Sequence, residues 1–186
     1  MAASRIPVLL DTDIGNDLDD AVALAYLLKQ PRCELVGVTT VTGEPDQRAA
    51  LAQVICEAAG RSDIPIHAGI GGTLLHGIGQ PKVPQYEAIV GKPHKKEWPA
   101  NTAVDFMRRT IRSRPGEITL LSIGPFANLA VLFELDPEIP DLCREIVSMA
   151  GMFYSRETWA EWNSCAIPFT SHRVAGNGPA SSVRRC

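Results

Sequence analysis

The chain of 186 residues is 45% hydrophobic and 21% charged, the balance of a globular domain with a real core and not of a disordered segment. Its formal net charge of −3 leaves no basic surplus to meet phosphates, which argues against a nucleic-acid partner. Five cysteines (Cys33, Cys56, Cys143, Cys165, Cys186) stand without C-x-x-C spacing, which argues against zinc, and Cys33 and Cys56, in apolar runs, read as buried free thiols in a reducing compartment.

Taken in chain order, short β-like runs alternate with helical ones. Pro7–Asp13 (PVLLDTD) reads as a buried strand, and Asp19–Lys29 as a helix apolar nearly all round. No signal sequence precedes that strand and no apolar run reaches the length of a membrane span, so the expected location is cytoplasmic, with no membrane partner. Glu34–Val41 is β-branched and strand-like; Pro45–Gly60 is helical, with Pro in its first turn and Gly at its end. Ile64–Ala68 is a third strand. Gly69–Pro99, rich in Gly, Pro and Lys, is too long for a plain connection and reads as a functional loop. Helix Thr102–Ser113, strand Ile118–Ser122, helix Phe126–Leu135 and strand Glu145–Met149 follow. The alternation predicts an α/β fold: a mainly parallel, Rossmann-like, doubly wound sheet in one domain over residues 1–163. Residues 164–186 have no apolar period, no caps and a basic end, and read as an irregular tail.

The ligand crevice of such a sheet lies beyond the carboxyl ends of its strands. Asp11 and Asp13 end the first strand, Thr42-Gly43-Glu44 the second, and Gly124-Pro125 follow the fourth, with Glu161 and Asn163 beyond Met149. The stretch DTDIGNDLDD sets Asp11, Asp13, Asp17, Asp19 and Asp20 within ten residues, an expensive cluster unless something positive sits among them. A hard cation, Mg²⁺ or Ca²⁺, takes oxygen ligands and cancels that repulsion. Helix capping accounts for Asp17 alone as well as a cation does, but not for Asp13 and Asp20 together. Haloacid-dehalogenase-like phosphatases also end a first strand in DxDx(T/V), yet here Gly15 stands at the Thr or Val position and DLDDA is left without a role.

The segment DTDIGNDLDDAVAL resembles the signature of the inosine–uridine-preferring nucleoside hydrolases, usually DTDxGxDDAxA. ELVGVTTVTGE is similar to that family's second strand, LLSIGPFANLAVL to its GPLTNLA segment, and MAG…AEWN to its substrate-binding stretch, in family order up to Asn163. The resemblance implies Ca²⁺-dependent hydrolysis of the N-glycosidic bond of a ribonucleoside, with an oxocarbenium-like transition state, in a homo-oligomer as in the family. Asp13 matches the general base and a metal ligand, Asp20 the bidentate metal ligand, and Ile123 a ligand through its backbone carbonyl. Asp19 matches the acceptor of the ribose 2′-hydroxyl, and Glu161 and Asn163 match ribose contacts. Glu44 stands where the family has an Asn that touches ribose, and His94 in GKPHKKEWP is a candidate contact to the nucleobase. This chain carries two extra residues between Gly15 and the paired acids, which leaves Asp17 as a rival for Asp19 or Asp20. The family's further metal-binding Asp comes from a C-terminal part that this tail does not match. A truncated, non-catalytic homologue that binds ribosides weakly is therefore the second reading, and a dehalogenase-like phosphatase the third.

Overall fold

The computed structural model describes residues 5–72, 74, 80–150, 163 and 184–185. The elements run β1 (Ile6–Thr12), α1 (Leu18–Lys29), β2 (Cys33–Thr40), α2 (Pro45–Ala58), β3 (Ile66–Ala68) and a 3₁₀ helix (Pro84–Ile89). After these come α3 (Ala103–Ser113), β4 (Thr119–Ser122), α4 (Ala127–Leu135), α5 (Ile139–Leu142), β5 (Glu145–Ser148) and β6 (Arg184–Arg185).

The strands form one sheet in the order β3-β2-β1-β4-β5-β6, with every pairing parallel. β1 shows why its sequence is a nearly continuous apolar run: it is buried on both faces. Val8 and Leu10 pack under α1 and α2 with Leu24, Ala52 and Cys56. Leu9 points the other way, among Met107 and Ile111 of α3 and Leu129, Leu132 and Phe133 of α4. The period of two along the strand thus feeds two separate cores. The order of connection reverses at β1 and β4, so the crevice of this topology falls beyond Thr12 and Ser122.

The predicted strands and helices fall within two residues of their observed ends. Two short elements were not foreseen: α5 and the 3₁₀ helix, each opened by Pro in its first turn and too brief to show a hydrophobic period. Arg184–Arg185, within the segment expected to be irregular, pair with β5. Among the described residues no helix is long and apolar enough to cross a membrane.

Helices α3 and α4 are also joined by charge. Asp136, just past the end of α4 and 4% exposed, takes Arg112 in a two-pronged grip at 2.6 Å and Arg108 Nε at 2.8 Å. The Arg112 hydrogen bonds, and then those of Arg108, hold its carboxyl well below the usual carboxylate range. Stability from this carboxylate is present at all pH values above the unfolded-state range and fades only as pH falls through the depressed folded value. Asp136→Asn is expected to cost about 1–2 kcal/mol near pH 7, discounted because both arginines stay hydrated on their outer sides. Urea unfolding of the two proteins checks this, and the difference should close in strong acid.

Candidate active site

The rim is built from the end of β1. Asp11 turns inward: its Oδ1 accepts from Thr39 Oγ1 at 2.7 Å and from Asn128 Nδ2 at 2.8 Å, which ties β1 to β2 and α4. Its Oδ2 is buried with no hydrogen-bond partner among the described residues. Thr12 connects the strand to α1, because its hydroxyl donates to Asp20 Oδ1 and accepts from the Ile14 amide at 3.1 Å. Asp20 is thereby fixed from below while its helix begins at Leu18. The turn between them needs Gly15 at φ +129°, where a Cβ would come 2.3 Å from Val83 Cγ1. Gly124 lets the loop after β4 approach equally close, since a Cβ there would sit 2.7 Å from the Asp13 amide.

These turns open onto a cavity of about 280 Å³. Asp13, Asp17, Asp19 and Asp20 line it, with Asn163 and Met149 among the other lining residues. Asn16 and Gln80 complete the described wall. Asp17 occupies the N-cap position of α1 in extended conformation, but its side chain makes no capping hydrogen bond. Capping therefore does not account for its carboxylate.

Burial is the main electrostatic cost here. It pushes the Asp11 carboxyl up to about 7, against the lowering effect of Thr39 and Asn128. It pushes Asp13 up to about 6, opposed chiefly by the charge of Arg48. Asp20 rises to about 7 through burial and then through repulsion from Asp13. The cation that answers them is Arg48, fully buried in the first turns of α2. Its guanidinium donates to the carbonyls of Asp13, Ile14 (3.0 Å), Thr42 (2.8 Å) and Gln80 (3.2 Å), and to Asn16 Oδ1 (3.2 Å).

The structure thus brings Asp13, Asp19, Asp20 and Asn163 to one cavity. The Ile123 carbonyl, at the end of β4, accepts Asn163 Nδ2 at 2.8 Å, and the same amide donates to the Met149 carbonyl at 3.0 Å. Glu44 stands at the N-cap position of α2, exposed, and does not belong to the described cavity wall. Nor does His94, whose Nε2 lies 2.9 Å from Tyr86 Oη and whose Nδ1 lies 2.8 Å from the Lys92 carbonyl. Glu161 falls outside the described residues. Among the described residues no group of three or more His, Cys, Asp or Glu side chains is placed to hold a metal ion. Sequence reasoning missed Arg48, Asn16 and Gln80. The signal that could have found Arg48 is its place near the start of a helix that opens at the same rim as the acids.

Fold and site together define an α/β protein with an acid-lined crevice at the reversal point of a parallel sheet. Residues 8–182 match the family described as inosine-uridine preferring nucleoside hydrolase, and the chain belongs to that family. An uncharacterized protein of Schizosaccharomyces pombe is 33% identical over 186 residues, covering 92% of this chain and 58% of its own length. Uridine nucleosidase 1 of Arabidopsis thaliana is 31% identical over 159 residues, covering 80% of this chain and 46% of its own. Among solved structures, a plant nucleoside hydrolase (the PpNRh1 enzyme) superposes with a TM-score of 0.80 at 26% identity, over 93% of this chain and 57% of that one. A purine-preferring ribonucleoside hydrolase from Gardnerella vaginalis shares the fold with a TM-score of 0.81 at 23% identity, over 93% and 58%. The chain spans about half the length of the curated relatives it matches.

The raised carboxyls give a pH dependence of definite sign. From the ordinary 3.8 up to about 6 for Asp13 and about 7 for Asp11 and Asp20, the folded chain keeps protons that the unfolded chain releases. Stability therefore falls as pH rises through that window. His67, whose burial lowers its pKa from 6.5, acts in the opposite sense but is one group against three. In buffer free of divalent cations, the thermal midpoint is expected to be higher at pH 5 than at pH 8. Melting curves across that range check it, and a midpoint that climbs with pH contradicts this balance of charges.

Proposed function

We propose that this chain carries the acidic, sugar-binding part of a ribonucleoside hydrolase site, where the N-glycosidic bond is cleaved to free base and ribose. The observation that carries the reading is the meeting of Asp13, Asp19, Asp20 and Asn163 on one cavity at the reversal point of the sheet. The relatives named as uridine nucleosidases support the same class of substrate.

Asp13 is the general base. A carboxyl raised to about 6 is charged near neutral pH yet retains appetite for a proton, which suits it to take one from an attacking water. The negative charge crowded around it favours the positive charge that grows on the ribose ring in an oxocarbenium-like transition state. Asp19 and Asn163 are assigned to the ribose hydroxyls, with Glu161 assigned there on the family pattern alone. Glu44 and His94 lie off the described cavity wall and are assigned to ribose and base on the family pattern alone.

The donors present are all oxygens, which suits Ca²⁺: the carboxylates of Asp13 and Asp20, and the Ile123 carbonyl, which among the described residues accepts only from Asn163 and has a second lone pair. A bound Ca²⁺ would supply charge compensation and a fixed point for water and sugar oxygens. Asp13→Asn is expected to abolish hydrolysis and weaken Ca²⁺ binding, with Asp17→Asn doing less of both. Calcium titration and release of free base from inosine and uridine measure the two effects. A larger effect from Asp17→Asn would mean that the extra two residues lie on the other side of it.

Neither a non-catalytic riboside binder nor a dehalogenase-like phosphatase is favoured by any observation. Phosphate release from a generic phosphomonoester separates the latter from glycosidic cleavage. A riboside should outcompete the matching 2′-deoxyriboside by about tenfold, since a missing hydroxyl leaves a charged acceptor such as Asp19 without its hydrogen bond once the bound sugar covers it, at about 1–3 kcal/mol. Equal competition would count against a sugar-directed site.

A further inference from the structure

We infer that Arg48 is a positioning residue: a resident cation that organises the acidic rim before any ligand arrives, without occupying the carboxylates. The inference rests on the reading of the cavity as a cation and riboside site, and concerns how that site keeps its shape.

The geometry carries it. Arg48 is 0% exposed, and its guanidinium reaches five oxygens on three separate stretches of chain. These are the turn after β1 (Asp13, Ile14, Asn16), the turn after β2 (Thr42) and the stretch just before the 3₁₀ helix (Gln80). Every one of those oxygens is neutral, four backbone carbonyls and one amide. An arginine that paired directly with Asp13 or Asp20 would block the very atoms a cation or a ribose hydroxyl needs. Bonded to the carbonyl of Asp13 instead, it lowers the cost of the neighbouring charges through space and leaves the carboxylates facing the cavity.

The fork matters as well as the charge. Nε serves Thr42, Nη1 serves the turn after β1, and Nη2 serves Gln80, so the three stretches are held in three directions by one rigid plane. A lysine would keep the charge but could not span them. Two of the stretches it joins also touch each other: a Cβ on Gly43 would strike the Gln80 carbonyl at 1.8 Å.

The test is amide hydrogen exchange on the whole chain, followed by calcium titration, on the wild type and on Arg48→Lys. In metal-free wild type, the amides of residues 13–16 and of Gln80, which donates to Thr42 Oγ1, should already be protected well beyond an open loop. Arg48→Lys should lose about tenfold or more of that protection there while β4 and β5 keep theirs, and should weaken Ca²⁺ binding about tenfold. Asp136→Asn, remote from the cavity, serves as a control for loss of stability alone. Unprotected turns in the metal-free wild type overturn the inference, and that measurement stands even if Arg48→Lys does not fold. So does an Arg48→Lys protein whose protection and Ca²⁺ affinity stay within about twofold of wild type, or change no more than those of Asp136→Asn. If the wild type takes up no Ca²⁺ at all, the calcium reading falls, and the exchange pattern alone still decides the role of Arg48.

Discussion

Several carboxylates buried at the end of one strand are the constraint on which the rest of the structure depends. Each resists ionisation because water has been removed from it, and each raises the cost of the next. The fold answers with donors from every element that reaches the rim. Thr39 and Asn128 hold Asp11, Thr12 holds Asp20, and Arg48 places its charge behind Asp13. The start of α1 adds the positive end of a helix dipole beside Asp19 and Asp20. The acids are therefore not a surface decoration; they are embedded in the junction of β1, β2, α1, α2 and α4.

That arrangement explains what could be read from the sequence and what could not. The sheet was legible because β1 and β2 are buried on both faces and so read as apolar runs, while turn chemistry marks the helices between them. Asp13, Asp19 and Asp20 were legible because they lie close together in sequence and crowd one strand–helix junction. Arg48 was not: an arginine in a helix whose neighbours are Gln47 and Ala49 reads as an ordinary solvated side chain. Its place at the start of a helix opening on the acidic rim was the one pointer in the sequence, and burial and partners show what it does, since those partners lie 6 to 35 residues away along the chain.

Glu44 shows what strand spacing leaves open. Its position after the second strand suggests a side chain turned toward the crevice. Thr42 and Gly43 both adopt left-handed backbone, with φ of 64° and 60°, and the chain then leaves the strand to start α2. Glu44 emerges exposed at the helix start, while the Thr42 carbonyl turns to Arg48 Nε. Strand spacing locates a rim residue along the chain but does not give the direction of its side chain when consecutive residues take positive φ. A strained threonine at such a turn persists because the surrounding bonds hold it.

The two residues that lengthen the acidic turn are accommodated by the same means. Gln85 Nε2 donates to the carbonyls of Asn16 (3.2 Å) and Asp17 (2.9 Å), and the Gln85 amide donates to the Gly15 carbonyl (3.0 Å). The Asn16 side chain meanwhile accepts from Arg48 at 3.2 Å. The extra length is thus held from outside by the 3₁₀ helix and from inside by Arg48. Asp20 keeps its bond from Thr12 and stays buried next to Asp13, whereas Asp17 and Asp19 are exposed at the mouth. An inner pair and an outer pair of carboxylates follow from this division. The inner pair, desolvated and mutually repelling, is the one with most to gain from a nearby positive charge, and under the proposed function the exposed outer pair is the one that would meet hydroxyls arriving from solvent.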